Sequence, residues 1–148
     1  MARGGQKAQP FSIRLRTGDD RFVRDEARRL SRSRGAIVEA FAQEAITQRR
    51  YPGIAFRGDD YRRRAYVLAV GLDVWEIVAL LRDFGSEAEL EQEYGLTPGQ
   101  IRIALAYSKE FAEEIDDLVA RGRRSEDELL SRYPFIQSFE EAAARGGP

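Results

Sequence analysis

The sequence predicts a mainly α, α+β chain built as two small domains, and three observations carry that prediction. Charge is divided along the chain: residues 1–64 hold 16 Arg or Lys against 8 Asp or Glu, a balance of +8, and residues 65–148 hold 8 against 17, a balance of −9. Apolar periodicity changes from 2 over residues 11–15 to helical spacing beyond them. Three spacings of Ser, Thr or Asp followed three residues later by Glu or Gln mark helix starts at Asp73/Glu76, Ser86/Glu89 and Thr97/Gln100.

Composition limits the chemistry. The chain has no His and no Cys, which removes the usual zinc sites, Ser-His-Asp triads and thiol nucleophiles. It contains neither a P-loop nor a GxGxxG glycine pattern. Catalysis by carboxylates alone would need Asp residues clustered on one wall, whereas the acidic positions here read as a solvated helix face. The expectation is therefore no enzyme activity, no cofactor and no metal. No run of about 18 apolar residues suggests a membrane span, and the basic start MARGGQKAQP lacks the apolar stretch of a signal peptide. With no cysteine to oxidise, a reducing, cytoplasmic location is expected.

Taken in order, residues 1–9 read as a mildly basic, disordered arm. In PFSIRLRT, Phe11, Ile13 and Leu15 alternate with Ser12, Arg14 and Arg16, the pattern of a strand with one apolar and one polar face. Thr17, Gly18, Asp19 and Asp20 read as a break that supplies N-cap candidates for a helix carrying Phe22, Val23, Ala27 and Leu30. Residues 31–35 form a turn with Ser33 as N-cap, and a second helix presents Ile37, Val38, Phe41, Ala45 and Ile46. One strand and two helices cannot close a core alone, because the strand leaves both edges unpaired. A symmetric homodimer, with two copies of the strand paired antiparallel, is the simplest remedy.

TQRRYPG, residues 47–53, reads as a hinge between the domains. Residues 54–56 and 65–70 read as two short strands of a hairpin, followed by helices over 73–84, 86–94 and 97–119. The remaining tail, residues 121–148, passes from RGRR through SEDE to the apolar block LLSRYPFI. The block is too short for its own core, so it docks on this chain or on another.

FSIRLRT, the helix from Phe22 to Leu30 and SRSRGAIVEAF together resemble the ribbon-helix-helix DNA-binding fold of bacterial repressors and VapB-like antitoxins, over residues 10–48. The resemblance implies that Ser12, Arg14 and Arg16 read base edges in the major groove of an operator, and that Ser33 with the amides after it anchors a phosphate. Arg chemistry fits such a role, since a guanidinium can bridge N7 and O6 of guanine. Arg28, Arg29, Arg32 and Arg34 would add attraction to the backbone of double-stranded DNA. Gly35 departs from the family pattern, where a small polar or helix-favouring residue often stands.

Residues 86–108 also suggest a helix-turn-helix around Gly95, but residues 86–119 hold Arg102 and Lys109 against nine acidic residues. That sign repels phosphate. YPGI, LDVWEIVALLRDFGSEAEL and YGLTPGQIRIALAY are similar to the domain of unknown function 433 family, over residues 51–118, whose small winged-helix-like modules occur in antitoxin-like proteins beside PIN-like toxins. The stretch 62–70 lacks the Gly-Thr-Arg many members carry. Trp75, Leu81, Ile101 and Leu105 read as core.

Together these resemblances imply an antitoxin that represses its own operator as a dimer and silences a PIN-like ribonuclease. The toxin-binding candidates are Arg121, Arg123, Arg124 and Arg132 with the apolar Leu129, Leu130, Tyr133, Phe135 and Ile136. An Arg inserted among carboxylates that hold a divalent metal would displace the ion. The alternative is a stand-alone regulator whose second domain oligomerises or binds a small ligand.

Overall fold

The computed structural model describes residues 9–59 and 63–133. These form α1 (Thr17–Arg29), α2 (Arg34–Arg50), β1 (Ile54–Arg57), β2 (Arg64–Val67), α3 (Val74–Phe84), α4 (Glu87–Tyr94), α5 (Pro98–Glu110) and α6 (Ala112–Arg132). The chain is mainly helical with one two-stranded hairpin. It divides into two compact units between Ala42 and Gln43. That division falls inside α2, and the expected hinge at residues 47–53 is helical through Arg50, with Thr47 buried.

In the first unit the expected strand over 10–17 is absent: residues 9–16 pair with no other described segment and enter α1 directly. A strand exists only through its ladder, and this segment has no strand neighbour among the described residues. Phe11 and Ile13 are 85% and 54% exposed, while Leu15 packs on the small core of Val23, Ala27 and Ile37. The expected break at Thr17–Asp20 is instead the first turn of α1, with Arg16 in the N-cap position and its carbonyl accepting from the Asp20 amide at 2.9 Å. Asp19 and Asp20 sit where the helix dipole favours negative charge, which outweighs the cost of Gly18. Leu30 and Ser31 close the helix, with Ser31 at φ 51°, and the Ser33 hydroxyl accepts from the Ala36 amide at 3.1 Å to start α2 as expected. Of the apolar face foreseen for α2, Ile37 is buried and Val38 half-buried, but Phe41, Ala45 and Ile46 are exposed.

In the second unit β1 and β2 pair antiparallel, with Ile54 opposite Val67 and Arg57 opposite Arg64. The second strand is shorter than the expected 65–70, because residues 68–70 turn, with Ala69 at φ 70°. α3 and α5 start at complete capping boxes, Asp73/Glu76 and Thr97/Gln100. Ser86 accepts from the Glu89 amide at 3.3 Å to cap α4. Ile54, Val67, Val74, Ile77, Leu90, Ile101, Tyr107 and Ile115 are almost wholly buried and form the core of this unit.

The expected helix over 97–119 is two helices. Phe111, at φ −108° and ψ 40°, ends α5 and begins α6, and its ring stacks on Tyr107 with centroids 4.5 Å apart. Burying that ring bends a sequence that contains no Gly or Pro between Ile101 and Arg121. The separate tail expected from residue 121 is also corrected, since α6 continues to Arg132. Gly122 lies inside α6 against Trp75. A Cβ at this position would come within 2.6 Å of the indole ring, so only glycine lets the helix approach so closely. No helix among the described residues is long and apolar enough to cross a membrane.

Candidate nucleic-acid interface and partner surface

The residues proposed to read bases, Ser12, Arg14 and Arg16, are exposed on the segment before α1. Among the described residues Arg14 and Arg16 carry no ion pair. The proposed backbone contacts differ from them. Arg28 pairs with Asp25 at 3.3 Å and Arg29 with Glu26 at 2.7 Å, both one turn apart on α1. Arg34 reaches Asp20, whose other oxygen pairs with Arg24 at 2.6 Å. Arg29 holds the exposed Glu26 carboxyl below the usual range for glutamate through their hydrogen bond. Arg28, Arg32 and Arg34, joined by Arg24, line a shallow cleft of about 250 Å³ floored by Ala27. Arg24 was not among the sequence candidates, although its i, i+4 spacing to Arg28 is the signal that could have found it. The cleft therefore gathers three of the eight proposed DNA-binding residues, and Ser33 stands at the start of the adjoining helix.

The proposed toxin-binding residues are differently placed. Arg121 pairs with Asp117 along α6, and Arg123 reaches Asp83 of α3 at 3.0 Å, so both are tied to the surface of their own unit. Arg124 and Arg132 are exposed on α6. Leu129 and Tyr133 are exposed and Leu130 half-buried at its end, while Phe135 and Ile136 lie outside the described residues.

A polar centre that the sequence reading missed lies beside the hairpin. Asp73, foreseen only as a helix cap, is buried and accepts from Arg57 Nε at 2.7 Å, Arg64 Nε at 3.0 Å and Trp75 Nε1 at 3.1 Å. Its own amide donates to the Glu76 carboxylate at 2.7 Å. Arg57 and Arg64 face each other across the hairpin, and like charges in that position repel unless an acid stands between them. That pairing was the available signal. Asp73 satisfies both guanidiniums and fixes the hairpin to the start of α3; it is a structural junction.

A second junction joins the end of α2 to α5. Arg50 grips Glu110 with two bonds of 2.7 Å, and the Tyr51 hydroxyl donates to the same carboxylate. These bonds hold Glu110 below the usual glutamate range, the Arg50 bond most, and the bond to Glu110 raises Tyr51. Burial raises Tyr107, with Glu114 adding to it, and loss of solvent at the Glu114 carboxyl raises that group in turn. No group of three or more carboxylates among the described residues is arranged to hold a metal ion. Compared with models of protein families, with curated proteins and with solved structures, the chain matches none of them.

Proposed function

We propose that the chain is a DNA-binding antitoxin that acts as a homodimer through its first unit. One observation supports the DNA half of this reading: among the described residues the first unit buries only Val23, Ala27 and Ile37 in its core while Phe11, Ile13, Phe22 and Phe41 stay exposed. A core of that size is too small to stabilise a domain alone, and exposed apolar side chains, of which Phe22 and Phe41 lie with ring centroids 6.1 Å apart, suit an association surface. Pairing residues 10–17 with the same segment of a second copy would cover Phe11 and Ile13. It would also line up Ser12, Arg14 and Arg16 of both copies on the opposite, polar face, and a two-stranded ribbon fits the major groove.

The antitoxin half rests on the apolar end of α6 and on the acidic helices, which oppose binding of the second unit to phosphate. Leu129, Leu130 and Tyr133 would anchor a nuclease partner, with Arg124 or Arg132 entering its carboxylate site. The pairing of Arg121 and Arg123 within the chain favours the rival reading, a regulator without a toxin, because it removes two of the four arginines proposed for that entry.

Two measurements test the proposal. Fluorescence anisotropy with duplexes from the promoter region should reveal salt-dependent binding. There Arg14→Ala and Arg16→Ala should each cost about 1–3 kcal/mol and relax base preference, whereas Arg28→Ala should weaken all duplexes alike. Co-expression with the product of the adjacent gene, followed by size-exclusion chromatography, should give a stable complex that truncation after Val119 weakens. Equal, sequence-independent losses in all three variants would exclude reading by the ribbon, and absence of a complex would leave the regulator.

A further inference from the structure

We propose that the arginine-lined cleft of the first unit is a binding site for a phosphate group, built from Arg24, Arg28, Arg32 and Arg34 over Ala27. It does not depend on the DNA reading, because the phosphate can belong to a duplex backbone or to a free phosphorylated molecule. Arg24 and Arg28 lie one turn apart on α1 with Ala27 between their stems, and Arg32 and Arg34 come from the turn and the first residue of α2. A floor of one methyl group leaves the room. The cleft, of about 250 Å³, is open to solvent, so a phosphate group can reach the arginines that line it.

The carboxylates that reach Arg24, Arg28 and Arg34 do not saturate these three guanidiniums. Asp20 serves both Arg24 and Arg34, and Asp25 serves Arg28. Each guanidinium has five donors, so a carboxylate shared by two of them leaves several directed outward. The side chains of Arg24, Arg28 and Arg34 remain 57%, 79% and 56% exposed. Arg34 also opens a helix whose first turn contains no acidic residue, so the positive end of α2 adds to the field of the cleft. Guanidinium forks match the geometry of phosphate oxygens and hold them with two bonds each.

The test uses the full chain, inorganic pyrophosphate in calorimetry, and a labelled duplex in anisotropy. Pyrophosphate should bind, and Arg28→Ala and Arg32→Ala should each weaken it by about tenfold, as loss of a charge-assisted bond implies. Arg21→Ala and Arg102→Ala, which leave the cleft intact, should change it by less than about twofold. No binding by the wild type at about millimolar pyrophosphate, where affinity would be about 4 kcal/mol, would overturn the proposal. Equal losses in cleft and control variants would also overturn it, as diffuse charge, and so would equal affinity for succinate. Duplex affinity that falls in step with pyrophosphate affinity assigns the phosphate to the DNA backbone. Duplex affinity that stays unchanged assigns it to a free phosphorylated ligand. If the wild type binds pyrophosphate through the cleft but no duplex, the DNA function fails and the site stands.

Discussion

Among the described residues the first unit buries three apolar side chains in its core and leaves Phe11, Ile13, Phe22 and Phe41 exposed, whereas the second buries thirteen around Ile77, Leu90 and Ile101. Their polar contacts differ in the same direction. In the first unit the ion pairs are local steps along α1 or a link from α1 to Arg34. In the second, Asp73 and Glu110 join residues far apart in sequence. Among the described residues the second unit closes a core within one chain, although Ile46, Leu68, Leu129 and Tyr133 stay exposed, whereas the first buries little and leaves Phe11, Phe22 and Phe41 all exposed. A region short of core is thus the region to search for partners.

The largest effect expected from this difference follows Ile13→Lys. In a dimer built on residues 10–17 the ammonium would be buried without a partner, so sedimentation equilibrium should show complete loss of dimer. The helical signal of the first unit should melt away with it. Trp75 is the sole tryptophan and lies in the second unit, so its fluorescence transition should stay where it was. A wild-type chain that sediments as a monomer and unfolds both units cooperatively would break the comparison.

Truncation in the larger core comes next. Ile77 and Ile101 are fully buried, and replacing either with Ala should cost about 2–5 kcal/mol, read from denaturant unfolding followed by Trp75. The same readout should barely respond to Phe22→Ala, since Phe22 is 57% exposed and lies in the other unit. A comparable response to Phe22→Ala would mean that the two cores unfold as one.

Gly122→Ala sharpens the comparison from within the second unit. In an exposed helix this change stabilises by about 1 kcal/mol. Here the new methyl would meet the Trp75 ring at 2.6 Å, and overpacking of that kind costs about 1–3 kcal/mol. Net destabilisation is expected, with relief when Trp75→Phe accompanies it in a double-mutant cycle. A stabilised Gly122→Ala variant would mean that the ring moves aside without cost.

Gly122 also marks a limit of what the sequence conveys. The capping boxes at Asp73 and Thr97 and the cap at Ser33 were legible because their partners lie three residues away. The hairpin was legible because its two short apolar runs lie close together in sequence. The stretch around Gly122 was assigned to a tail because the reason for a glycine inside α6, the ring of Trp75, lies far away in sequence. The turn at Phe111 was hidden for the same reason: its cause is a ring stacked on Tyr107, and the residues on either side favour helix. The alternation of residues 11–15 was visible, but no strand among the described residues pairs with them. In the candidate site, Ser33, Arg28, Arg32 and Arg34 were legible as a basic turn. Arg24 was not, because its contribution depends on α1 and α2 facing one another across Ala27.

The smallest effect concerns pH and sets the two kinds of ion pair side by side. Glu26 and Glu110 both have carboxyls held below the ordinary glutamate value of 4.5, by Arg29 and by Arg50 with Tyr51 respectively. A folded-state value lowered in this way stabilises the protein above the unfolded-state value, and the contribution fades as pH falls through the folded-state value. Both glutamates are at the surface, so each contribution is small and screened by salt. The Glu110 bonds span about sixty residues of chain, whereas Glu26 grips Arg29 within one helical turn. Glu110→Gln should therefore flatten the acid side of the Trp75 stability profile below pH about 4.5, and Glu26→Gln should leave that profile unchanged. If Glu26→Gln flattens it equally, the first unit contributes to the stability of the second, and the separation between the two cores is weaker than their packing implies.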